Sequence, residues 1–194
     1  CELLGQIDAV AGDGDHGIGM QRGSKAALEA ANEALDGGAG VETVLQWAGQ
    51  RWSDQAGGTS GAIWRVILKA LGESLGNDKP LTGQCLAAGV IGARDQVMAF
   101  GKAKVGDKTL VDVLVPFAAA LAKEAEAGKG IVASWEVAAS VASEAADATA
   151  KLIPRVGRAR PLAEKSVGTR DAGSVSLALI IQALIPVLKK CEAS

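Results

Sequence analysis

Aromatic side chains are scarce in this sequence, with four Trp, two Phe and no Tyr. A surface that stacks nucleobases on rings is therefore hard to assemble. Alternating apolar and polar runs are also missing, so no stretch competes for strand. His16 is the one histidine, which excludes a His-based triad and any multi-histidine metal centre. The three cysteines, Cys1, Cys85 and Cys191, are odd in number and lack CxxC spacing. That pattern argues against a disulfide framework or structural zinc and makes the reducing cytoplasm the expected compartment. The formal charge of -2 supplies no positive field, so neither nucleic acid nor an acidic membrane is an expected partner. No run reads as long and apolar enough to cross a bilayer, and the N-terminus has neither a signal pattern nor an initiating Met. The sequence is expected to begin inside a longer chain.

What is present is Ala, Leu and Gly, within a 48% hydrophobic composition. These favour helix over strand. Residues 1–194 suit one domain with a full core. Ile63, Val66, Ile67, Ala70, Leu71 and Ser74 follow the i, i+3, i+4, i+7 template, with Arg65, Lys69 and Glu73 opposite. Leu110, Val113, Leu114, Phe117 and Leu121 repeat it, leaving Asp112 and Lys123 off the stripe. Further helices are expected near 17–35, 41–54, 83–100, 131–150 and 174–190, and small residues on the 131–150 face (Ala138, Ala139, Ala142, Ala145, Ala146) predict close helix contacts. The expected fold is all-α, an antiparallel bundle of seven or eight helices. The stretch from Lys151 to Gly173 is longer than bundle connections usually are, which marks it as functional.

Asp8, Asp13 and Asp15 place three acids within eight residues, flanked by Ala and Gly. Like charges this close call for a hard cation, and magnesium takes a few carboxylates plus substrate phosphates. Taken alone, the segment serves equally as a solvated loop in which Asp13 or Asp15 caps the helix beginning near Gly17. Gly12 to Gly17 spells GxGxxG, but two Asp side chains would repel a pyrophosphate and no strand precedes them. An EF-hand fails because its Gly and Glu positions hold Ile18 and Ser24. His16 is either a nucleotide contact or an ordinary first-turn residue.

Two glycine-rich segments could hold an anion. Gly57-Gly58-Thr59-Ser60-Gly61 precedes the strongest amphipathic helix, so its N–H groups and the helix dipole would face a phosphate; otherwise Thr59 or Ser60 is a plain N-cap. Gly101 to Thr109 almost spells a P-loop, but an Asp precedes the Lys and the segment before it is helical. It reads as a nucleotide-lining segment or a turn. The 151–173 stretch carries Lys151, Arg155, Arg158, Arg160, Lys165 and Arg170, a phosphate-binding or merely solvated basic loop. RNA is the sharper rival there, and the absence of aromatics counts against it.

In order and spacing, Asp8 with Gly12-Asp13-Gly14-Asp15-His16-Gly17, then Gly57 to Gly61, then Gly106-Asp107-Lys108-Thr109, and finally Ser166 to Gly173 resemble the nucleotide-binding L domain of dihydroxyacetone kinases. The resemblance implies a barrel of eight antiparallel helices. It implies two Mg2+ ions on Asp8, Asp13 and Asp15, and ATP or ADP held by His16, Gly17, Ile18, Gly19, Gly57, Gly58, Thr59, Ser60, Gly101, Thr109, Leu110, Arg158, Asp171, Ala172 and Gly173. Arg158 would neutralise phosphate charge during transfer to dihydroxyacetone or a related short ketose. That ketose would be held by a separate K domain or subunit, with a phosphohistidine phosphotransferase protein as the partner in the ADP-retaining form of the family. A third reading is a non-catalytic regulatory module. Two departures stand out: the family's Pro is Ala172 here, and seven residues precede Asp8 where the family has a whole helix.

Overall fold

The computed structural model describes residues 1–78, 80–157 and 160–193. They contain nine α-helices and no strand: α1 (Glu2–Asp8), α2 (His16–Asp36), α3 (Val41–Ala56), α4 (Gly58–Leu75), α5 (Gly83–Gly101), α6 (Val111–Glu126), α7 (Ile131–Ala148), α8 (Ala163–Ser166) and α9 (Ala172–Glu192). Every helix expected from periodicity is present. The 151–173 stretch is more ordered than expected, with 3-10 turns at Thr149–Lys151 and Arg160–Leu162 besides α8.

The chain divides into two compact units, one from Gly17 to Lys102 and one joining Glu2–His16 to the chain from Ala103 onward. In the first, α3 and α4 approach closely because glycines stand at the contacts. A Cβ at Gly72 would meet the Glu42 carbonyl at 3.0 Å, and one at Gly61 would meet the Ser53 carbonyl at 3.2 Å. Trp52 and Trp64 stack across this contact with centroids 4.7 Å apart. On the outer face Lys69 and Glu73 pair at 2.6 Å, as i,i+4 spacing predicts.

In the second unit α7 packs against both α6 and α9. Ala138, Ala139 and Ala142 are fully buried on it, and extra methylenes there would force neighbouring backbone apart. Phe117 meets Trp135 edge-on at 5.1 Å. The Trp135 indole donates to the Ile181 carbonyl at 2.9 Å, and Gln182 donates to the Ala139 carbonyl at 2.9 Å. Contrary to the sequence reading, one described helix is long and apolar enough to cross a membrane: α9, with 21 residues and a mean hydropathy of 1.8. Its Ser174, Val175, Ser176, Leu177, Ala178 and Ile181 are buried in this unit, while Leu179, Leu184 and Val187 are exposed and 39% of the apolar window is buried. The sequence scan missed it because Ser174, Ser176 and Gln182 dilute the apolar run.

Candidate functional site

Helix α1 stops at Asp8, and the chain turns through Ala9 to Asp15 before α2 begins at His16. Asp8 organises that turn. One of its oxygens accepts the Gly14 N–H at 2.9 Å and the His16 N–H at 3.4 Å. Gly14 sits at φ +79, where L side chains are strained. A Cβ on Gly12 would lie 2.6 Å from the other Asp8 oxygen, so only glycine leaves room for that carboxylate.

The result is a cluster in which Asp8, Asp13 and Asp15 each present one oxygen within 4.8 Å of the others, Asp8 half-buried and the other two exposed. Three acceptor-only groups at this spacing fit a hard divalent cation.

His16 links this cluster to α9. Its Nε2 lies 3.1 Å from the Ser176 hydroxyl. Burial pushes the imidazole below its ordinary pKa, outweighing Asp8, Asp15 and a hydrogen bond to the Ala172 backbone. The ring is thus held neutral beside the acids.

At the start of α9, Asp171 is the N-cap and accepts the Ser174 N–H at 2.7 Å. Its own N–H goes to the Thr149 hydroxyl at 2.9 Å. Ala172 is the first helical residue, where the family's Pro would be at home; the Asp171 cap fixes the turn without it. Burial raises the Asp171 carboxyl to about 6, with Asp112 adding to the rise while Ser174 and Lys108 oppose it. A Cβ at Gly173 would stand 3.8 Å from both the N and Cβ of Leu110, and the Ser174 hydroxyl donates to the Thr109 carbonyl at 2.8 Å. Thr109, Leu110, Asp171, Ala172, Gly173 and His16 are therefore connected within one unit as the carboxylate loop's neighbours.

In the other unit Gly17 is buried and Ile18 exposed. Gly19 lies against the end of α3, where its Cβ would be 3.6 Å from the Ala56 carbonyl, next to Gly57. Gly57, at φ +66, is the N-cap of α4, and no side chain caps the helix. The alternative in which Thr59 or Ser60 is the N-cap is thereby corrected: both lie in the first turn, and Gly57 to Ser60 are exposed. Gly101 ends α5 in this same unit. Arg158 lies outside the described residues.

Sequence reasoning missed three residues that build the site. Asp112, read as an off-stripe surface residue, is buried and accepts the N–H groups of Gly106 and Thr109. The Thr109-x-x-Asp112 spacing of a capping box was the available signal. Thr149 and Ser176 gave none, since lone hydroxyls in helical runs are common.

Comparison with known proteins adds the following. The family model described as "DAK2 domain" matches residues 10–186. An L-erythrulose kinase from Pectobacterium atrosepticum is 57% identical over 98% of this chain. The chain spans 32% of that relative's length. The ADP-binding subunit DhaL of the PEP-dependent dihydroxyacetone kinase of Escherichia coli is 31% identical, covering 97% of this chain and 89% of the subunit. The crystal structure of the dihydroxyacetone kinase from C. freundii in complex with AMP-PNP and Mg2+ matches with a TM-score of 0.65 at 24% identity, over 95% of this chain and 30% of that one. At that identity it establishes a shared fold.

Proposed function

The chain belongs to the DAK2-domain family, the family of dihydroxyacetone kinase L domains, and from that premise we propose that residues 1–194 form one domain, the magnesium-nucleotide half of a cytoplasmic ketose kinase. It would transfer the γ-phosphate of ATP to a three- or four-carbon ketose presented by a separate K domain or subunit. The observation that carries this reading is the cluster of Asp8, Asp13 and Asp15 within 4.8 Å, with Gly12 kept bare beside Asp8. The activity for which the erythrulose kinase relative is named supports a short ketose, and the AMP-PNP and Mg2+ of the structural neighbour support the ligand pair.

Asp8, Asp13 and Asp15 would hold two Mg2+ ions. Magnesium held there would supply positive charge to offset that of the transferring phosphate. His16, neutral and oriented by Ser176, lies next to those carboxylates and adds a hydrogen-bonding group without adding charge. Gly173 packs closely at the start of α9, where a Cβ would meet an Asp171 carboxylate oxygen at 3.2 Å and Leu110 at 3.8 Å, and Asp171, Ala172, Gly173 and Leu110 are carried as nucleotide contacts on the resemblance. In the first unit the Gly57 N–H is taken by the Ser53 carbonyl, whereas Gly58, Thr59 and Ser60, in the exposed first turn of α4, offer N–H groups suited to phosphate. Ile18 and Gly101 are retained as contacts on the resemblance alone, as is Arg158, whose guanidinium would meet charge developing on the transferred group.

Calorimetry of ADP binding with and without Mg2+ tests the reading. Asp13→Asn is expected to weaken magnesium-dependent binding by about tenfold or more, the usual scale for perturbing a metal site. Unchanged affinity overturns the metal-clamp assignment. The match to the DhaL subunit over most of its length favours one second reading, in which ADP stays bound and is rephosphorylated by a phosphohistidine protein. ADP that exchanges within one turnover selects the ATP-using form; ADP that persists selects the other.

A further inference from the structure

Lys108 is a buried cation that the nucleotide reading does not use. It is 4% exposed and sits at φ +61, a left-handed conformation that costs a non-glycine residue roughly 1–2 kcal/mol. Strain of this kind persists only where surrounding contacts over-determine it. The contacts are explicit. The ammonium donates to the Ser166 carbonyl at 2.6 Å and to the Leu152 carbonyl at 3.2 Å. Burial pushes its pKa below the usual lysine value, and the nearby Asp171 pulls the other way.

Leu152 and Ser166 are the two ends of the segment that carries Arg155, Arg160 and Lys165. A single ammonium therefore joins both stems of a basic loop. Two backbone bonds reinforce the closure: Arg155 N–H to the Asp107 carbonyl at 3.1 Å, and Gly168 N–H to the Ala150 carbonyl at 2.9 Å. The turn that presents Lys108 is itself fixed by Asp112, which accepts the N–H groups of Gly106 and Thr109 on either side of it. Thr109 in turn is tied to α9 through Ser174.

We propose that Lys108 is a positioning residue whose ammonium clips the two ends of the basic segment 152–166 to the 106–109 turn, setting where that segment's cations stand relative to the nucleotide. Its ammonium is spent on the Leu152 and Ser166 carbonyls. The clip itself is independent of the proposed function; only its consequence for phosphate transfer rests on that reading.

Lys108→Gly is the informative variant, because glycine accepts the left-handed backbone while deleting the ammonium. Limited trypsinolysis of the 194-residue chain, without nucleotide, reads the clip directly. Cleavage after Arg155 and Lys165 should accelerate by about tenfold or more, with cleavage sites in α2 to α5 unaffected, as expected for local rather than global opening. Butylammonium chloride, a free replacement for the missing side chain, should slow it again. Cleavage that stays at the wild-type rate, that rises equally everywhere, or that ignores butylammonium overturns the proposal. In the assembled kinase, kcat should fall about tenfold while Mg-ADP affinity changes by less than about threefold, the split expected when an oriented group is lost; equal losses overturn the positioning role. Should the variant fail to fold, hydrogen exchange of the wild-type chain decides: the Arg155 and Gly168 amides must open together, and separate opening overturns the clip. Loss of magnesium-dependent ADP binding in Asp13→Asn leaves the proteolysis result untouched, so the two readings fail separately.

Discussion

The Asp8–Asp13–Asp15 cluster and the Lys108 pocket belong to the same compact unit, yet they handle charge in opposite ways. The acids are largely open to solvent and gather like charge within 4.8 Å. At that spacing each pair repels by about 1 kcal/mol even in water. Lys108 is buried and strained, but protein carbonyls and the Asp112 brace satisfy its surroundings internally. The first region gathers charge that a cation would offset; the second meets its charge with protein carbonyls. Function and stability should therefore separate cleanly by mutation: the acid loop answers to magnesium, the pocket to unfolding.

The sharpest way to break that separation is Asp112→Asn. The carboxylate accepts two backbone N–H groups, and an amide can accept only one while turning its own NH2 toward the other. A loss of about 3 kcal/mol in urea-unfolding stability is expected, since hydrogen bonds to a buried charge are among the strong ones. The loss should be the same with and without Mg2+. If added magnesium rescues it, the two regions are not independent. Gly12→Ala probes the opposite side. Its new Cβ falls 2.6 Å from an Asp8 oxygen, so the carboxylate must move. Magnesium-dependent ADP affinity should drop about ten- to a hundredfold, while the metal-free chain should lose only about 1 kcal/mol of unfolding stability, as the displaced carboxylate gives up the Gly14 and His16 N–H groups in a partly exposed turn. A matching loss of stability would show that Asp8 is structural first.

The contrast also explains what the sequence made legible. The acid loop stood out in one short stretch, Asp8 to Gly17, because three acids crowd among small residues there, and only its company with the later glycine-rich segments set it apart from a solvated capping loop. The helices were equally plain, their faces written in 3.6-residue periodicity, and Ala138, Ala139 and Ala142 sit where their size predicted. Lys108 stood in a recognisable motif, but its pairing was invisible. Its partners are carbonyls 44 and 58 residues away, and any residue supplies a carbonyl, so composition leaves no trace of the pairing. Asp112 was misread for a related reason: an acid one position off an apolar stripe looks solvated unless the turn before it folds back onto it. The amphipathic pattern of α4 likewise suggested a Thr or Ser cap, whereas the left-handed Gly57 starts the helix with bare N–H groups.

The smallest effect expected is a titration, and it joins the two regions because Asp171 caps the helix beside His16 and feels Lys108. Its carboxyl stands at about 6 against an ordinary 3.8, chiefly through burial. A raised acid binds its proton more tightly in the folded state than in the unfolded one. Between about pH 4 and 6 the folded chain therefore holds more protons, and stability from this group falls as pH rises through that window, then levels off. The size should be on the order of 1 kcal/mol. Asp171→Asn keeps an acceptor for the Ser174 N–H while removing the titration. Subtracting its stability-pH profile from that of the wild type should leave a single downward step between pH 4 and 6. An upward step would mean that Lys108 and the Ser174 N–H hold Asp171 ionised, making the pocket an ion pair rather than a cation held by carbonyls.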